Sequence, residues 1–235
     1  AAIQTPGQQQ HPVPHQVPVE RLQALGLAPQ PVELVDEVVL RRQMGHRPRL
    51  ALAVLRRCRW GYPQVLLFAP LLVGEKRISP NSTLCWLSCP LLVGAVDRLD
   101  ADREIERFEH LASVDAELRA ALEQAHRETA RIRRALLPEE WERKLEQERP
   151  REHWVITQTG IAGITRPDHV KCLHAHLADY MVRGSNPVGQ EVARRLESEG
   201  TPLQGTDQCW RYCSPEGAWE HLDLRGGSEG QPAGD

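Results

Sequence analysis

The strongest constraint on the fold of this 235-residue chain is a regular spacing of residues in its highly charged middle. The positions recur at alternating steps of three and four, which brings them onto one face of an α-helix. They are Phe108, Leu111, Asp115, Leu118, Leu122, Ala125, Thr129, Ile132 and Leu136. The pattern predicts a long helical arm over about 101–148. Asp115 and Thr129 interrupt it, which favours an arm packed within the chain over the alternative, a dimeric coiled coil.

Three short apolar segments precede this arm. They read RLALAVLRRC, PQVLLFAP and TLCWLSC, and turn-forming residues separate them, so each predicts a strand. Pro90 follows the third segment, where it suits the first turn of a helix. Strands followed by helices predict an α+β fold, with a small and mostly antiparallel sheet covered by helices.

The segments after the arm predict one strand and two helices. Trp154–Thr157 is the candidate strand. Pro167 and Asp168 then predict a helix start, with Asp168 as N-cap and Gly184 as the stop. A shorter helix is expected after the Asn-Pro pair at 186–187.

The two ends of the chain differ from its middle in composition. Residues 1–30 form a Gln/Pro-rich tail that we expect to be disordered, because it has little apolar surface to bury. Residues 31–200 are predicted to form a single α+β domain. Residues 201–235 are predicted to be an appendage, hairpin-like around Cys209 and Cys213 and disordered at its end.

Charge and cysteine content limit the class of protein. Lys and Arg number 29 against 32 Asp and Glu, a net charge of −3, which argues against nucleic-acid binding through bulk positive charge. No apolar run is long enough to span a membrane. The six cysteines lie in a large chain without a secretory signal, so we expect reduced thiols and a cytoplasmic location. The interrupted helical pattern favours a monomer. A protein partner is left open.

The strongest chemical signal is the cluster RPDHVKCLHAH. On a helix that starts at Asp168, His169, Cys172 and His176 share one face, and His174 points to the opposite side. Cys172 and His176 are four residues apart and would suit one soft metal ion.

The remaining ligands would come from two strand ends. Cys58 and Cys89 each end a predicted strand, and they would meet Cys172 if the helix packs over that end of the sheet. Three thiolates and one imidazole suit zinc or an iron–sulfur cluster. Two alternatives stay open, since the cysteines would also serve as buried core residues, or Cys172 as a nucleophile activated by a histidine.

A third pattern suggests an anion site. Lys171 lies near the predicted helix start, and Asn186 and Gly189 belong to a turn whose backbone N–H groups would suit a phosphate or carboxylate. The alternative is that Asn186 only makes the turn between two helices.

Several of these segments occur in a familiar order. They are Cys58 with GYPQV, then LSCPLLVGAVDRLD, and finally VKCLHAHLADYMVRGSNPVG. From Leu34 to Leu196 the chain resembles the bacterial family known as domain of unknown function 501. The resemblance implies recurrent cysteines at 58, 89 and 172 with His174 beside them, and it implies no known reaction. Asp179 stands where that family often has a further histidine.

Three hypotheses about function follow. The first is an uncharacterised cytoplasmic protein with a metal or redox site built from Cys58, Cys89, Cys172 and either His174 or His176. The second is a non-catalytic interaction protein with a helical docking surface. The third is an enzyme or binder for a small anionic ligand. Whether the chain is an enzyme at all stays open.

Overall fold

The structure is a computed structural model that describes residues 11–13, 19–46, 48–74 and 77–215. Its strands are β1 (His11–Val13), β2 (Ala51–Arg57), β3 (Pro63–Phe68), β4 (Leu71–Val73), β5 (Ile78–Pro80) and β6 (Cys85–Leu87). Its α-helices are α1 (Val19–Ala24), α2 (Leu34–Met44), α3 (Pro90–Ala101), α4 (Glu104–Val114), α5 (Ala116–Ala135), α6 (Glu139–Glu148), α7 (Pro150–Gln158), α8 (Leu173–Arg183) and α9 (Pro187–Ser198). The predicted α+β class is confirmed.

Two small antiparallel sheets form the β part of the fold. The central sheet has the order β2-β3-β6, and these are the three strands that the apolar segments predict. The second sheet has the order β1-β4-β5. β4 and β5 arise from a stretch that the sequence suggests is mainly a loop, because strands of three residues carry too little pattern to be recognised.

The middle strand of the central sheet is buried on both faces. Val65 and Leu67 of β3 belong to the main core, together with side chains of α3, α8 and α9. Leu66 and Phe68 point to the opposite face and pack with Leu40 of α2. This alternation fixes the sheet between α2 on one side and the α3, α8 and α9 layer on the other.

The helical arm is interrupted where the sequence pattern weakens. Asp115 ends α4 and caps α5, because its side chain accepts hydrogen bonds from the backbone N–H groups of Glu117 and Leu118. The seam residues Leu122 and Ile132 are completely buried within the chain. The apolar face of α5 is therefore covered by the protein itself.

The strand predicted at Trp154–Thr157 is wrong, because these residues belong to α7. Pro150 occupies the first turn of that helix, and Ile156 and Thr157 are buried. The completely buried Arg133 of α5 donates to the carbonyl of Ile156, which fastens α7 to the arm. Tertiary packing thus overrides the β-branched composition of this segment.

The helix start predicted at Asp168 is also wrong. α8 begins at Leu173, with Cys172 as its N-cap residue. The carboxylate of Asp168 accepts hydrogen bonds from Arg166 instead of capping a helix. The backbone N–H of Val170 donates to Glu109, which holds this segment against α4.

Both predicted tails are partly described. Helix α1 lies inside the segment 1–30 that the sequence suggests is disordered, and Gln30 pairs with Val54 of β2. At the other end, Cys209–Tyr212 forms a 3₁₀ turn rather than a hairpin. Residues 1–10, 14–18 and 216–235 lie outside the described residues. Within the described ranges, the helices are all too short or too polar to cross a membrane.

Candidate functional site

A groove of about 380 Å³ lies beside β6, between the end of α2 and the beginning of α8. β6 and its flanks line it with Thr83, Cys85, Trp86, Leu87 and Ser88. The other walls come from Gln43, Met44, His46, Val93, Cys172, His174 and Ala175. We call this cavity the β6 groove. It brings one cysteine and one histidine of the predicted cluster to a surface that a ligand can reach.

Cys172 sits at the amino end of α8, where backbone N–H groups of a helix have no partner within the helix. The N–H groups of His174 and Ala175 interact with its sulfur, and Sγ lies 4.0 Å from Nδ1 of His174. Burial alone would raise the pKa of Cys172, but the imidazole and the helix N–H groups outweigh it, so the pKa is lowered from 9.0. These contacts therefore stabilise the thiolate relative to that of a free cysteine.

His174 is oriented by the carbonyl oxygen of Val93, which lies 3.3 Å from Nε2. A carbonyl only accepts, so Nε2 carries a proton, and in the neutral ring Nδ1 faces Cys172 with its lone pair. Burial lowers the pKa of His174, but its contacts with Cys172, Val93 and Asp97 prevail and raise it above 6.5. Cys172 and His174 thus each stabilise the charged form of the other.

Two carboxylates of α3 complete the surroundings of His174. Asp97 Oδ1 lies 3.3 Å from Nε2, and Asp100 Oδ2 lies 3.8 Å from Nδ1. Burial raises the pKa of Asp100, His174 opposes that rise and Asp97 adds to it. Both carboxylates stabilise a positive charge on the imidazole, Asp97 from the more exposed position.

Sequence reasoning missed Asp97 and Asp100 as site residues. Their spacing of three residues on α3 places them on one side of that helix, which is the available signal. The approach of α3 to the amino end of α8 is a tertiary contact that no local pattern contains.

The other predicted thiols lie elsewhere. Cys58 and Cys89 line a small cavity of about 10 Å³ together with Cys209 and Cys213, and Cys172 is not among its lining residues. Burial raises the pKa of Cys89 to about 11 and that of Cys213 to about 12. Burial thus holds Cys89 and Cys213 in the protonated form.

The predicted metal site is not assembled in the described part of the chain. No group of three or more His, Cys, Asp or Glu side chains there is arranged to hold a metal ion. His176 is completely buried, and burial together with the nearby His126 lowers its pKa to about 3. Its Nδ1 bonds to the side chain of Asn186 rather than to a ligand set that includes Cys172 and His174.

Two residues of the predicted anion site are buried, and the third is exposed. Asn186 is completely buried and caps α9, since its side-chain oxygen accepts from the backbone N–H of Gly189. Gly189 packs so closely on α8 that an added Cβ would lie 2.1 Å from the His176 carbonyl oxygen. Lys171 is exposed. The contacts of Asn186 and Gly189 therefore join α8 to α9.

Among known protein families, a family model described as "Protein of unknown function (DUF501)" matches residues 54–194. This range includes Cys58, Cys89, Cys172 and His174, and it excludes Cys209 and Cys213. No curated protein and no solved structure matches the chain.

Proposed function

Since the chain belongs to the DUF501 family, whose function is unknown, we propose its function from the geometry of the β6 groove: Cys172 is a nucleophilic thiol that His174 activates for acyl transfer. The observation that carries this is the position of the Cys172 sulfur between the imidazole of His174 and the first-turn N–H groups of α8, on the wall of a ligand-sized groove.

The chemistry is that of a thiol acyl transferase or hydrolase. Sγ of Cys172 forms a bond to the carbonyl carbon of the ligand, and His174 takes the thiol proton and delivers it to the leaving group as the old bond breaks. Water then attacks the thioester, which releases a carboxylic acid and restores the thiol. The N–H groups of His174 and Ala175 are the donors available to the oxyanion.

The Sγ–Nδ1 distance of 4.0 Å is long for a hydrogen bond, and catalytic hydrogen bonds often shorten when the substrate binds. The metal site and the redox site that the sequence suggests receive less support than a nucleophilic thiol. A metal site lacks a ligand group among the described residues. For redox chemistry, Cys85 shares the groove with Cys172, but burial strongly raises its pKa.

The test is limited alkylation with iodoacetamide at pH 7, followed by peptide mass spectrometry. We expect Cys172 to be carboxamidomethylated first. Cys58 is the internal control, because both thiols are half-buried and Cys58 has no histidine bonded to its sulfur among the described contacts. Equal labelling of Cys58 and Cys172, with no change in His174→Asn, would refute nucleophilic activation.

We also propose a cellular location, a domain organisation and an oligomeric state for this protein. A reduced Cys172 suits the cytoplasm, and all six cysteines are free in the structure. A single domain over 31–200 and a monomeric state remain the expected organisation, supported by the burial of Leu122 and Ile132 within the chain. Sedimentation at several concentrations checks the monomer, and a concentration-dependent mass would contradict it.

A further inference from the structure

The outer edge of β6 is unoccupied by any other strand in the described ranges, since the central sheet ends with β6. Two backbone hydrogen bonds show which residues of β6 direct their N–H and C=O groups toward β3. Phe68 N–H donates to the Leu84 carbonyl, and Ser88 N–H donates to the Gln64 carbonyl. In an antiparallel pair, hydrogen-bonded residues alternate with residues whose backbone groups point away from the partner strand.

This hydrogen-bond pattern determines which backbone groups of β6 face outward. Trp86 lies opposite Leu66 and between the two bonded positions, so its backbone faces β3. Cys85 and Leu87 are the alternate residues, and their N–H and C=O groups therefore face outward. The edge offers two donors and two acceptors, repeated at a spacing of roughly 7 Å.

The β6 groove runs along this same edge. Its lining includes four consecutive residues, 85–88, which alternate between the two faces of the strand, and this places the cavity beside the strand rather than over one face. Within the described residues no backbone hydrogen bond occupies the outward groups of Cys85 and Leu87. An open strand edge of this kind is a template for another extended chain.

The walls of the groove suit an apolar residue. Trp86 is 40% exposed although its indole stacks on Phe68 at 5.1 Å. Met44 and Val93 add apolar surface. Asp97 and Asp100 do not line the groove, but they contact His174, and their negative charge near Cys172 disfavours an acidic group there.

We propose that the substrate of Cys172 is an extended polypeptide segment, apolar and free of acidic residues, that pairs as an additional strand with the outer edge of β6. Its main chain bonds to Cys85 and Leu87, an apolar side chain rests on Trp86, and a backbone carbonyl is presented to the Cys172 sulfur. This inference rests on the proposed function, because it assigns a substrate class to the same thiol.

The test uses a peptide that carries its own electrophile. The probe is acetyl-valyl-valyl-alanyl chloromethyl ketone, and its reaction forms a bond from the Cys172 sulfur to the methylene carbon while chloride leaves. The matched control is the same peptide with N-methylated main-chain amides, which cannot donate to a strand edge. Each rate with the protein is divided by the rate of that probe with glutathione, so the reactivity of the electrophile cancels.

We expect the unmethylated probe to label Cys172 at least about tenfold faster than the N-methylated probe, the effect of one to two backbone hydrogen bonds. Leu87→Pro should remove this preference, since it deletes an outward N–H and leaves the bonds to β3 intact. Leu87→Ala is its control, because it loses the same side chain and keeps the N–H. A probe with glutamyl residues in place of valyl should react more slowly than the valyl probe.

Equal normalised rates for the methylated and unmethylated probes would overturn strand pairing, and this comparison needs no protein variant. The outcome is separable from failure of the proposed function. If iodoacetamide still selects Cys172 over Cys58, the activated thiol stands and only the polypeptide substrate is refuted. If iodoacetamide shows no selection, the activation of Cys172 itself is refuted.

Discussion

The two ends of α8 carry polar residues of opposite character. At its amino end, Cys172 and His174 are half-buried, face a groove and touch each other through a long contact. At its carboxyl end, Asp179 is buried and forms a two-pronged ion pair with Arg183. Asn186 donates a further hydrogen bond to Asp179. Both ends contain polar side chains in close contact, but only the amino end is accessible to a ligand.

Burial and hydrogen-bond partners distinguish the structural polar residues of α8 from the reactive ones. Burial raises the pKa of Asp179, while Arg183 and Asn186 counteract that rise with charge and hydrogen bonds. Every strong contact there is with another part of the protein, which suits a structural role. Cys172 is half-buried and lines a groove, which suits a role toward a ligand.

The largest effect is expected from breaking the ion pair at the carboxyl end. Asp179→Ala leaves the guanidinium of Arg183 buried without its carboxylate, and we expect a loss of about 3–5 kcal/mol in the free energy of unfolding, measured by urea denaturation. Glu128→Ala is the control, because it removes an exposed ion pair with Arg131 and should cost less than about 1 kcal/mol. Equal losses in the two variants would contradict the structural assignment of Asp179.

A smaller loss is expected where α8 and α9 meet. In Gly189→Ala the new Cβ would lie 2.1 Å from the carbonyl oxygen of His176 and 2.5 Å from Cβ of Tyr180, so the helices must separate. We expect roughly 1–3 kcal/mol of destabilisation by urea denaturation. Gly184→Ala probes a different cause, since its Cβ meets no atom within 4 Å and only the left-handed φ of 73° opposes it. An unchanged unfolding midpoint in Gly189→Ala would show that the close approach of the helices is wrong.

We expect a substitution at the amino end of α8 to have little effect on the free energy of unfolding. We expect Cys172→Ser to change the free energy of unfolding by less than about 1 kcal/mol, because the site is half-buried. The matched variant is Cys85→Ser, which places a hydroxyl in the core and should cost about 1–3 kcal/mol if that hydroxyl finds no partner. If Cys172→Ser proved the more destabilising variant, Cys172 would be a core residue rather than a reactive thiol.

The sequence predicts the fold class and the central strands well because their signals are local. Leu and Val runs between turn residues indicate β2, β3 and β6, and the helix-end signals at Pro90 and Gly184 are interpreted correctly. The start of α8 is missed because Asp168 bonds to Arg166, a choice between two local partners that composition does not reveal. That error places His176, rather than His174, on the helix face of Cys172.

The candidate site is only partly predictable for the same reason. A helix from Asp168 groups Cys172 with His176, whereas the true N-cap position of Cys172 turns it toward His174, the residue that the family resemblance favours. The grouping of Cys58 and Cys89 with Cys209 and Cys213 depends on how the chain after α9 returns to the sheet, since Gln64 bonds to the Leu203 carbonyl. Such long-range contacts have no signature in a single sequence.

The activation of Cys172 by His174 is tested by the pH dependence of Cys172 alkylation, measured as the second-order rate constant with iodoacetamide. Only the thiolate reacts, so the rate rises through the pKa of Cys172 and then reaches a plateau. The groups that face this sulfur are His174 on its own helix, with Asp97 and Asp100 on α3 around the imidazole. We predict a midpoint below that of a free cysteine, and we expect it to move upward in His174→Asn, because the variant removes the imidazole that stabilises the thiolate. A midpoint at or above that of a free cysteine, or a midpoint that His174→Asn leaves unchanged, would contradict the activation of Cys172 by His174.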